Sequence, residues 1–127
     1  MLKDFTAFRL SKEFYQKCKR LRMPTFLKDQ LLRAASSIAL NLAESNGNRT
    51  EKERIRFFTI ALGSLRESQA ILEIEEINDP ELLSLTNQLG AILFTMCRLN
   101  HKKRETIFTK ESAAVSDSEV SRRRTSD

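Results

Sequence analysis

Apolar residues recur at helical spacing through the first half of the chain. The first series predicts a helix that ends near Met23 and Pro24: Leu10, Phe14, Cys18 and Leu21. A second series follows the same period: Leu27, Leu31, Ala34, Ile38 and Leu42. The run from Ser45 to Asn48 contains turn-forming residues, so we expect the second helix to end there.

Capping patterns divide the second half of the chain. Thr50 is predicted to cap a third helix, because its hydroxyl can accept a first-turn N–H and Glu53 completes a capping box. That helix should run to about Ile77. Asp79 followed by Pro80 predicts the start of a fourth helix. The apolar residues of this helix keep heptad spacing: Leu82, Leu85, Leu89, Ile92, Met96 and Leu99.

Four helices joined by short turns predict an all-α fold, an antiparallel up-and-down four-helix bundle over residues 1–108. Residues 109–127 are rich in serine and charge, poor in large apolar groups and without a period, so we expect a disordered tail. The composition agrees, since three glycines, two prolines and no tryptophan favour helices over turn-rich β architecture.

The third helix is more apolar than a lone bundle requires. Its polar positions form one narrow stripe: Arg56, Thr59, Arg66 and Glu73. The remaining positions are largely apolar or small, which predicts a second packing surface and self-association. The predicted oligomer interface is a ridge of small side chains with one aromatic neighbour: Phe57, Ala61, Ser64 and Ser68. Packing of this ridge within one chain is the alternative.

Basic side chains are concentrated near the start of the chain. The net charge is +5, and residues 1–36 hold nine basic and three acidic side chains. This asymmetry is compatible with nucleic acid on one face, with head-to-tail packing of subunits, or with an ordinary solvated surface. The predicted nucleic-acid-binding residues are Lys12, Lys17, Lys19, Arg20, Arg22, Lys28, Arg33 and Arg49. If copies of the bundle assemble into a ring-shaped homo-oligomer, these groups are repeated around it and would attract the phosphate backbone without reading its sequence.

A polar ridge runs along the second helix: Arg33, Ser37, Asn41 and Glu44. In a structural interpretation, Arg33 and Glu44 pair with neighbouring helices, and Asn41 hydrogen-bonds across a helix crossing. In a functional interpretation, Arg33 and Arg49 together contact a phosphate, because guanidinium groups bind phosphate bidentately. Ser37, Asn41 and Glu44 are predicted to be structural.

The residues for common catalytic and metal sites are missing from the sequence. A di-iron site in a four-helix bundle needs two Glu-x-x-His motifs, and His101 is the only histidine. Cys97 and His101 could form half of a zinc site that Cys18 extends, but both cysteines fit core positions. Phosphate-binding glycine loops and nucleophile motifs are absent too. We therefore expect no enzyme activity, no cofactor, no metal and no small-molecule substrate.

The apolar runs are far shorter than the roughly 20 residues that cross a bilayer, so we expect no membrane span. The two cysteines lie far apart in the sequence, and no apolar signal segment precedes them. A reduced cytoplasmic location is the prediction.

Two segments of the chain are distinctive together: SIALNLAE at residues 37–44, preceded by Asp29 to Ser36, and FFTIALGSLRE at residues 57–67. This combination resembles the bacterial four-helix-bundle proteins encoded in intervening sequences of large-subunit ribosomal RNA genes, over roughly Phe5 to Leu99. Ser45 stands where many members carry glycine, and Ala39 where many carry proline. The first difference bears on the loop conformation, and the second predicts a straighter second helix.

The resemblance implies an antiparallel four-helix bundle that assembles into a homopentameric barrel. It also implies a relationship to retroelement accessory variability proteins, of which one binds nucleic acid and a reverse transcriptase. The leading hypothesis is salt-dependent binding of RNA or DNA by a non-enzymatic homo-oligomer. The rival hypothesis is a scaffold that binds protein through its exposed helical faces without contacting nucleic acid.

Overall fold

The computed structural model describes the backbone of residues 2–47 and 49–112, and the side chains of residues 6–47 and 49–98. This part of the chain contains four helices and no strand. They are α1 (Leu2–Lys19), α2 (Thr25–Ser45), α3 (Glu51–Ile74) and α4 (Pro80–Ser112). Each helix packs on the next in the chain, and α1 also packs on α4. The predicted all-α fold with four helices is confirmed, and the packing is that of a bundle.

One apolar cluster forms the core, with contributions from all four helices. The spacing predicted most of it, because the first two series place these residues inside: Leu10, Phe14, Cys18, Leu31, Ala34, Ile38 and Leu42. In α4 the buried positions include Leu89 and Leu93, whereas Ile92 is only half-buried. The predicted heptad spacing of α4 is therefore confirmed at Leu82, Leu85, Leu89 and Met96, and only at Ile92 is the neighbouring residue, Leu93, the buried one. The side chain of Leu99 lies outside the described residues.

The boundary between α1 and α2 differs from the prediction. Regular helix ends at Lys19, four residues earlier than Met23, and α2 begins at Thr25 directly after Pro24. The side chain of Lys28 donates to the carbonyl oxygen of Leu21 at 2.7 Å. This contact ties the first turn of α2 to the connection, where the backbone carbonyl no longer has a helical partner.

The end of α2 explains why serine is accommodated at position 45. Ser45 is the last residue of α2, is fully buried, and donates its hydroxyl to the carbonyl oxygen of Leu42 at 2.7 Å. The C-cap residue Asn46 keeps right-handed helical angles, with φ −84°. Ser45 does not have a positive φ, so position 45 does not need glycine's conformational freedom. The helix also runs without a break through Ala39.

The predicted caps of α3 and α4 are confirmed. The Thr50 hydroxyl accepts the backbone N–H of Glu53 at 3.2 Å. A carboxylate oxygen of Asp79 accepts the backbone N–H groups of Glu81 at 2.9 Å and Leu82 at 3.3 Å. Each cap satisfies donors that the first helical turn leaves without an intrahelical partner.

The third helix ends at Ile74, before the predicted boundary at Ile77. Glu76 adopts a left-handed conformation with φ 53°. Its N–H bonds to the carbonyl of Glu73 at 3.0 Å, and the N–H of Ile77 bonds to the carbonyl of Leu72 at 2.9 Å. These two bonds form a Schellman motif, which usually has glycine at the left-handed position. The apolar pattern of the sequence extends past the end of the helix because Ile77 packs back onto the core after the turn.

The fourth helix continues through Ser112, beyond the predicted domain boundary at residue 108. No proline or glycine between 108 and 112 interrupts it. Residues 113–127 of the predicted tail lie outside the described residues.

The small residues of α3 pack inside the single chain, against α2. Ala61 and Ser68 are fully buried, and the half-buried Ser64 donates its hydroxyl to that of Ser37 on α2 at 2.9 Å. Phe57 is also half-buried. Ala61 and Ser68 are therefore not available on the surface, which corrects their assignment to an intermolecular contact. Small side chains let the backbones of α2 and α3 approach closely. The ridge therefore packs within one chain, which was the alternative prediction.

Replacing Thr50 with alanine should lower the free energy of unfolding by about 1 kcal/mol, because the N-cap bond is lost. The matched control is Thr95→Ala, an exposed position within α4 where alanine favours the helix, so stability should stay equal or rise slightly. Urea unfolding at one protein concentration measures both changes. Equal losses in the two variants would contradict the assigned cap.

Replacing Glu76 with glycine should raise the free energy of unfolding by about 1 kcal/mol, since glycine adopts a left-handed conformation without steric cost. The control is Glu73→Gly, inside the last turn of α3, which should be destabilising because glycine disfavours helix. The same urea experiment compares them. A loss of stability in Glu76→Gly would show that position 76 does not adopt the left-handed conformation.

Candidate nucleic-acid interface

The predicted basic residues fall into an unpaired group and an engaged group. Lys12, Arg20, Arg22 and Arg33 are exposed, and none has an ion pair or side-chain hydrogen bond with another described residue. Lys12 lies on α1 and Arg33 on α2. Arg20 and Arg22 lie in the connection between these two helices. A cation that forms no ion pair remains available to attract an external anion.

Two of the predicted residues are used within the fold instead. Lys17 forms an ion pair with Glu81 in the first turn of α4. Its hydrogen bond to Glu81 raises the pKa of Lys17, so it stays charged. Lys28 donates to the carbonyl of Leu21 with one of its three N–H groups, as described above. Lys17 therefore joins α1 to α4, and Lys28 secures the connection between α1 and α2.

Arg49 is also engaged. Its guanidinium contacts a carboxylate oxygen of Glu44 at 2.5 Å and one of Glu53 at 3.6 Å, and it lies 5.4 Å from the centre of the Phe57 ring. Two carboxylates beside one guanidinium leave little net positive charge for a phosphate. Arg49 thus links the end of α2 to the start of α3, and no described contact brings it together with Arg33.

The polar ridge of α2 makes contacts within the molecule. Ser37 accepts a hydrogen bond from Ser64 across the α2–α3 crossing, and Asn41 donates its side-chain amide to Ser37, at 2.8 Å to the carbonyl and 3.1 Å to the hydroxyl. Glu44 pairs with Arg49. Ser37, rather than the expected Asn41, provides the hydrogen bond between helices.

Arg33 lies in a shallow cleft between α1 and α2, of about 320 Å³. The cleft is lined by Tyr15, Asp29, Leu32, Arg33 and Ser36. The ammonium of Lys19 lies 5.6 Å from the centre of the Tyr15 ring. Tyr15 is half-buried and packs on the core, whereas Arg33 and Asp29 are exposed. The lining of the cleft thus combines an aromatic ring, one cation and one carboxylate, and a second cation, Lys19, lies near the ring.

Tyr15 and Asp29 were not among the residues predicted from the sequence. Lys12, Tyr15 and Lys19 are spaced three and four apart, so they share one face of α1. This spacing alone does not indicate whether Tyr15 faces the core or the surface. Only the packing of α1 on α2 shows that the ring lies at the edge of both.

Several large apolar side chains remain on the surface: Phe26, Leu40, Ile60, Ile74, Leu83 and Phe94, with exposed fractions of 40% to 67%. On α3, Ile60 and Ile74 share a face with the exposed residues Gly63, Glu67 and Ala70, at alternating steps of three and four. A Cβ placed on Gly63 would meet no atom within 4 Å. The single chain therefore gives no steric reason for glycine within this helix.

The described side chains show no arrangement suited to metal binding or thiol chemistry. No group of three or more histidine, cysteine, aspartate or glutamate residues among them could hold a metal ion. Burial raises the pKa of Cys18 to about 12, and burial also raises the pKa of Cys97, so both thiols resist ionisation. The side chain of His101, the third group of the considered zinc site, lies outside the described residues. No described helix has the length and apolarity to cross a membrane.

Comparisons with known proteins identify the family. No curated protein and no solved structure matches the chain. The profile of one family, described as 23S rRNA-intervening sequence protein, matches residues 5–92, which is well over half of the chain. The matched region includes most of α1, all of α2 and α3, and residues 80–92 of α4. The four-helix fold agrees with the resemblance noted in the sequence, and the chain belongs to the 23S rRNA-intervening sequence protein family.

Proposed function

We propose that this protein is a non-enzymatic homo-oligomer that binds RNA or DNA through the basic surface of α1 and α2. The observation that carries the proposal is the group of exposed, unpaired cations Lys12, Arg20, Arg22 and Arg33. Lys17 and Arg49 are paired with carboxylates. Exposed cations without an ion pair also lie on α3 and α4: Lys52, Arg56, Arg66 and Arg98. Residues 1–36 nevertheless hold nine basic and three acidic side chains, so the excess of positive charge lies on the side of α1 and α2. We also propose that the gene lies within a 23S ribosomal RNA intervening sequence, as the family description implies.

The proposed contact is electrostatic. A phosphate backbone releases condensed counterions when it meets such a surface, which makes the affinity fall steeply with salt. Base-specific readout would require side chains that reach base edges in a groove, and the unpaired lysine and arginine side chains alone do not provide it. The expected binding is therefore tolerant of sequence.

The helices are proposed to form an antiparallel up-and-down bundle. Ser37 of α2 contacts Ser64 of α3, and Arg49 links Glu44, near the end of α2, with Phe57, near the start of α3. Later residues of α2 therefore lie beside earlier residues of α3, which supports opposite helix directions. Short connections between successive helices support the same topology.

Self-association is proposed through the exposed face of α3 that contains Ile60, Gly63, Glu67, Ala70 and Ile74. Glycine within a helix costs roughly 0.5–1 kcal/mol relative to alanine, and Gly63 has open space beside it. A close approach by the backbone of a second copy would account for both the glycine and the exposed isoleucines. A pentameric ring is the assembly that the family resemblance implies, and it would repeat the basic surface around its circumference.

A protein-binding scaffold is the second candidate function. Leu83 and Phe94 are 51% and 52% exposed and lie on one face of α4. Two large apolar groups at this spacing suit a partner helix packed along α4. A partner whose binding survives nuclease treatment and is lost in Leu83→Lys would favour this function.

Reversing charge at Lys12 and Arg33 together should weaken binding of RNA and DNA at least tenfold at about 50 mM salt, because each phosphate contact contributes to counterion release. Lys52→Glu combined with Arg56→Glu is the control, since it also reverses two charges, at exposed positions of α3. Filter binding at several salt concentrations measures the effect. If the unaltered protein does not bind at about 50 mM salt, where attraction is strong, the proposed function is wrong.

Replacing Gly63 with arginine should convert oligomers into smaller species, because a long charged side chain would prevent close backbone approach. Ala43→Arg, an equivalent change on an exposed face of α2, should leave the assembly intact. Size-exclusion chromatography with light scattering gives the masses at micromolar concentration. An unaltered protein that is folded and monomeric under these conditions would contradict self-association.

A further inference from the structure

The cleft between α1 and α2 has a composition that simple phosphate attraction does not explain. A surface that only attracts polyanions needs cations, yet this cleft is lined by Tyr15 and the carboxylate of Asp29 as well as by Arg33. The ammonium of Lys19 lies 5.6 Å from the centre of the Tyr15 ring. The tyrosine ring is held in place by the core, since Tyr15 packs against it and is half-buried. A rigid aromatic surface next to cations is the combination that binds unpaired bases.

We propose that this cleft binds one unpaired nucleotide of a single-stranded nucleic acid, with its base stacked on Tyr15 and its phosphate held by Lys19 and Arg33. The inference rests on the proposed function, because it names the form of nucleic acid and the residue that distinguishes it. Stacking on an aromatic side chain is tolerant of sequence, since every base has a π face.

Lys19 provides a route to the stacked state. Its ammonium lies 5.6 Å from the centre of the Tyr15 ring, as a cation–π neighbour. Lys19 is exposed and its side chain is flexible, so an incoming base can displace it from the ring. The displaced ammonium then remains within reach of the phosphate of the same nucleotide. The cation–π contact of Lys19 with Tyr15 is thus replaced by stacking of the base on Tyr15 and an ion pair of Lys19 with the phosphate.

Asp29 determines the orientation of the nucleotide. Its carboxylate repels phosphate, so the phosphate is expected at the guanidinium of Arg33 and the ammonium of Lys19, and not at Asp29. A base edge with an amino group can instead donate a hydrogen bond to Asp29. Duplex bases are already stacked on their neighbours, and their faces cannot reach Tyr15 without leaving the helix. The cleft therefore favours single strands over duplexes.

The composition of the chain supplies a direct probe of this cleft. Tyr15 is the only tyrosine, and the chain has no tryptophan, so the intrinsic tyrosine fluorescence comes from this one ring. The full chain is titrated at about 50 mM salt with an oligouridylate of about twelve nucleotides, a length within known single-strand site sizes. Fluorescence anisotropy of a labelled oligouridylate measures total binding in parallel. An RNA duplex of the same length is the comparison.

The expected result is quenching of Tyr15 fluorescence that saturates together with the anisotropy signal, with weak or no quenching by the duplex. Tyr15→Leu should weaken single-strand binding about tenfold, whereas Tyr15→Phe, which keeps an aromatic face, should bind like the unaltered protein. The unaltered protein and Tyr15→Phe keep the test decisive if Tyr15→Leu does not fold.

A rise in anisotropy without any change in Tyr15 fluorescence would overturn the inference and leave the proposed function standing. Equal quenching by the duplex would overturn it as well. No rise in anisotropy with either RNA would instead contradict the proposed function, and the inference with it.

Discussion

The close packing of α2 on α3 is the contact on which the remaining surface depends. Ala61 and Ser68 are buried without exposed area, and a hydroxyl pair joins Ser37 to Ser64 at 2.9 Å. Because these small residues turn toward α2, the opposite side of α3 faces outward with Ile60, Gly63 and Ile74. The same helix therefore uses one small-residue face within the chain and presents a second face, with its own glycine, to the surroundings.

Helix packing also sorts the cations. A basic residue that lies at a junction finds a carboxylate or a carbonyl, as Lys17 does on α4 and Arg49 does between α2 and α3. Basic residues on the outer faces of α1 and α2 keep their charge uncompensated. The net charge of +5 is not spread evenly over the sequence, because residues 1–36, which include α1 and the first part of α2, hold nine basic and three acidic side chains. The proposed nucleic-acid contact is therefore placed on the side of α1 and α2.

Much of the fold could be predicted from the sequence, because helix periodicity and caps are local. Thr50 and Asp79 cap the helices as expected, and the buried positions of α1 and α2 follow their spacing. The end of α3 was missed because Glu76 occupies a left-handed position that usually carries glycine. Glutamate disfavours the left-handed conformation, so the sequence does not indicate this turn. The hydrogen bonds of the turn and the packing of Ile77 on the core stabilise it nevertheless.

The candidate site was less predictable, because it depends on which residues of different helices meet. Composition indicated basic residues near the start of the chain, but it could not separate Lys17 and Arg49, which are paired, from Lys12 and Arg33, which are not. The interface predicted at Ala61 and Ser68 failed for the same reason: small residues suit any close helix contact, within a chain or between chains. Family membership agrees with the fold. The proposed function depends instead on the basic surface of α1 and α2 and on the exposed face of α3.

Photo-crosslinking of the full-length protein to single-stranded RNA, followed by mass spectrometry of the crosslinked peptides, tests the central claim most directly. The account predicts crosslinks in residues 9–36, which contain the unpaired cations and the cleft. Crosslinks confined to α3 and α4 would contradict it, because they would place the nucleic acid on the side of the bundle where no concentration of unpaired positive charge is proposed.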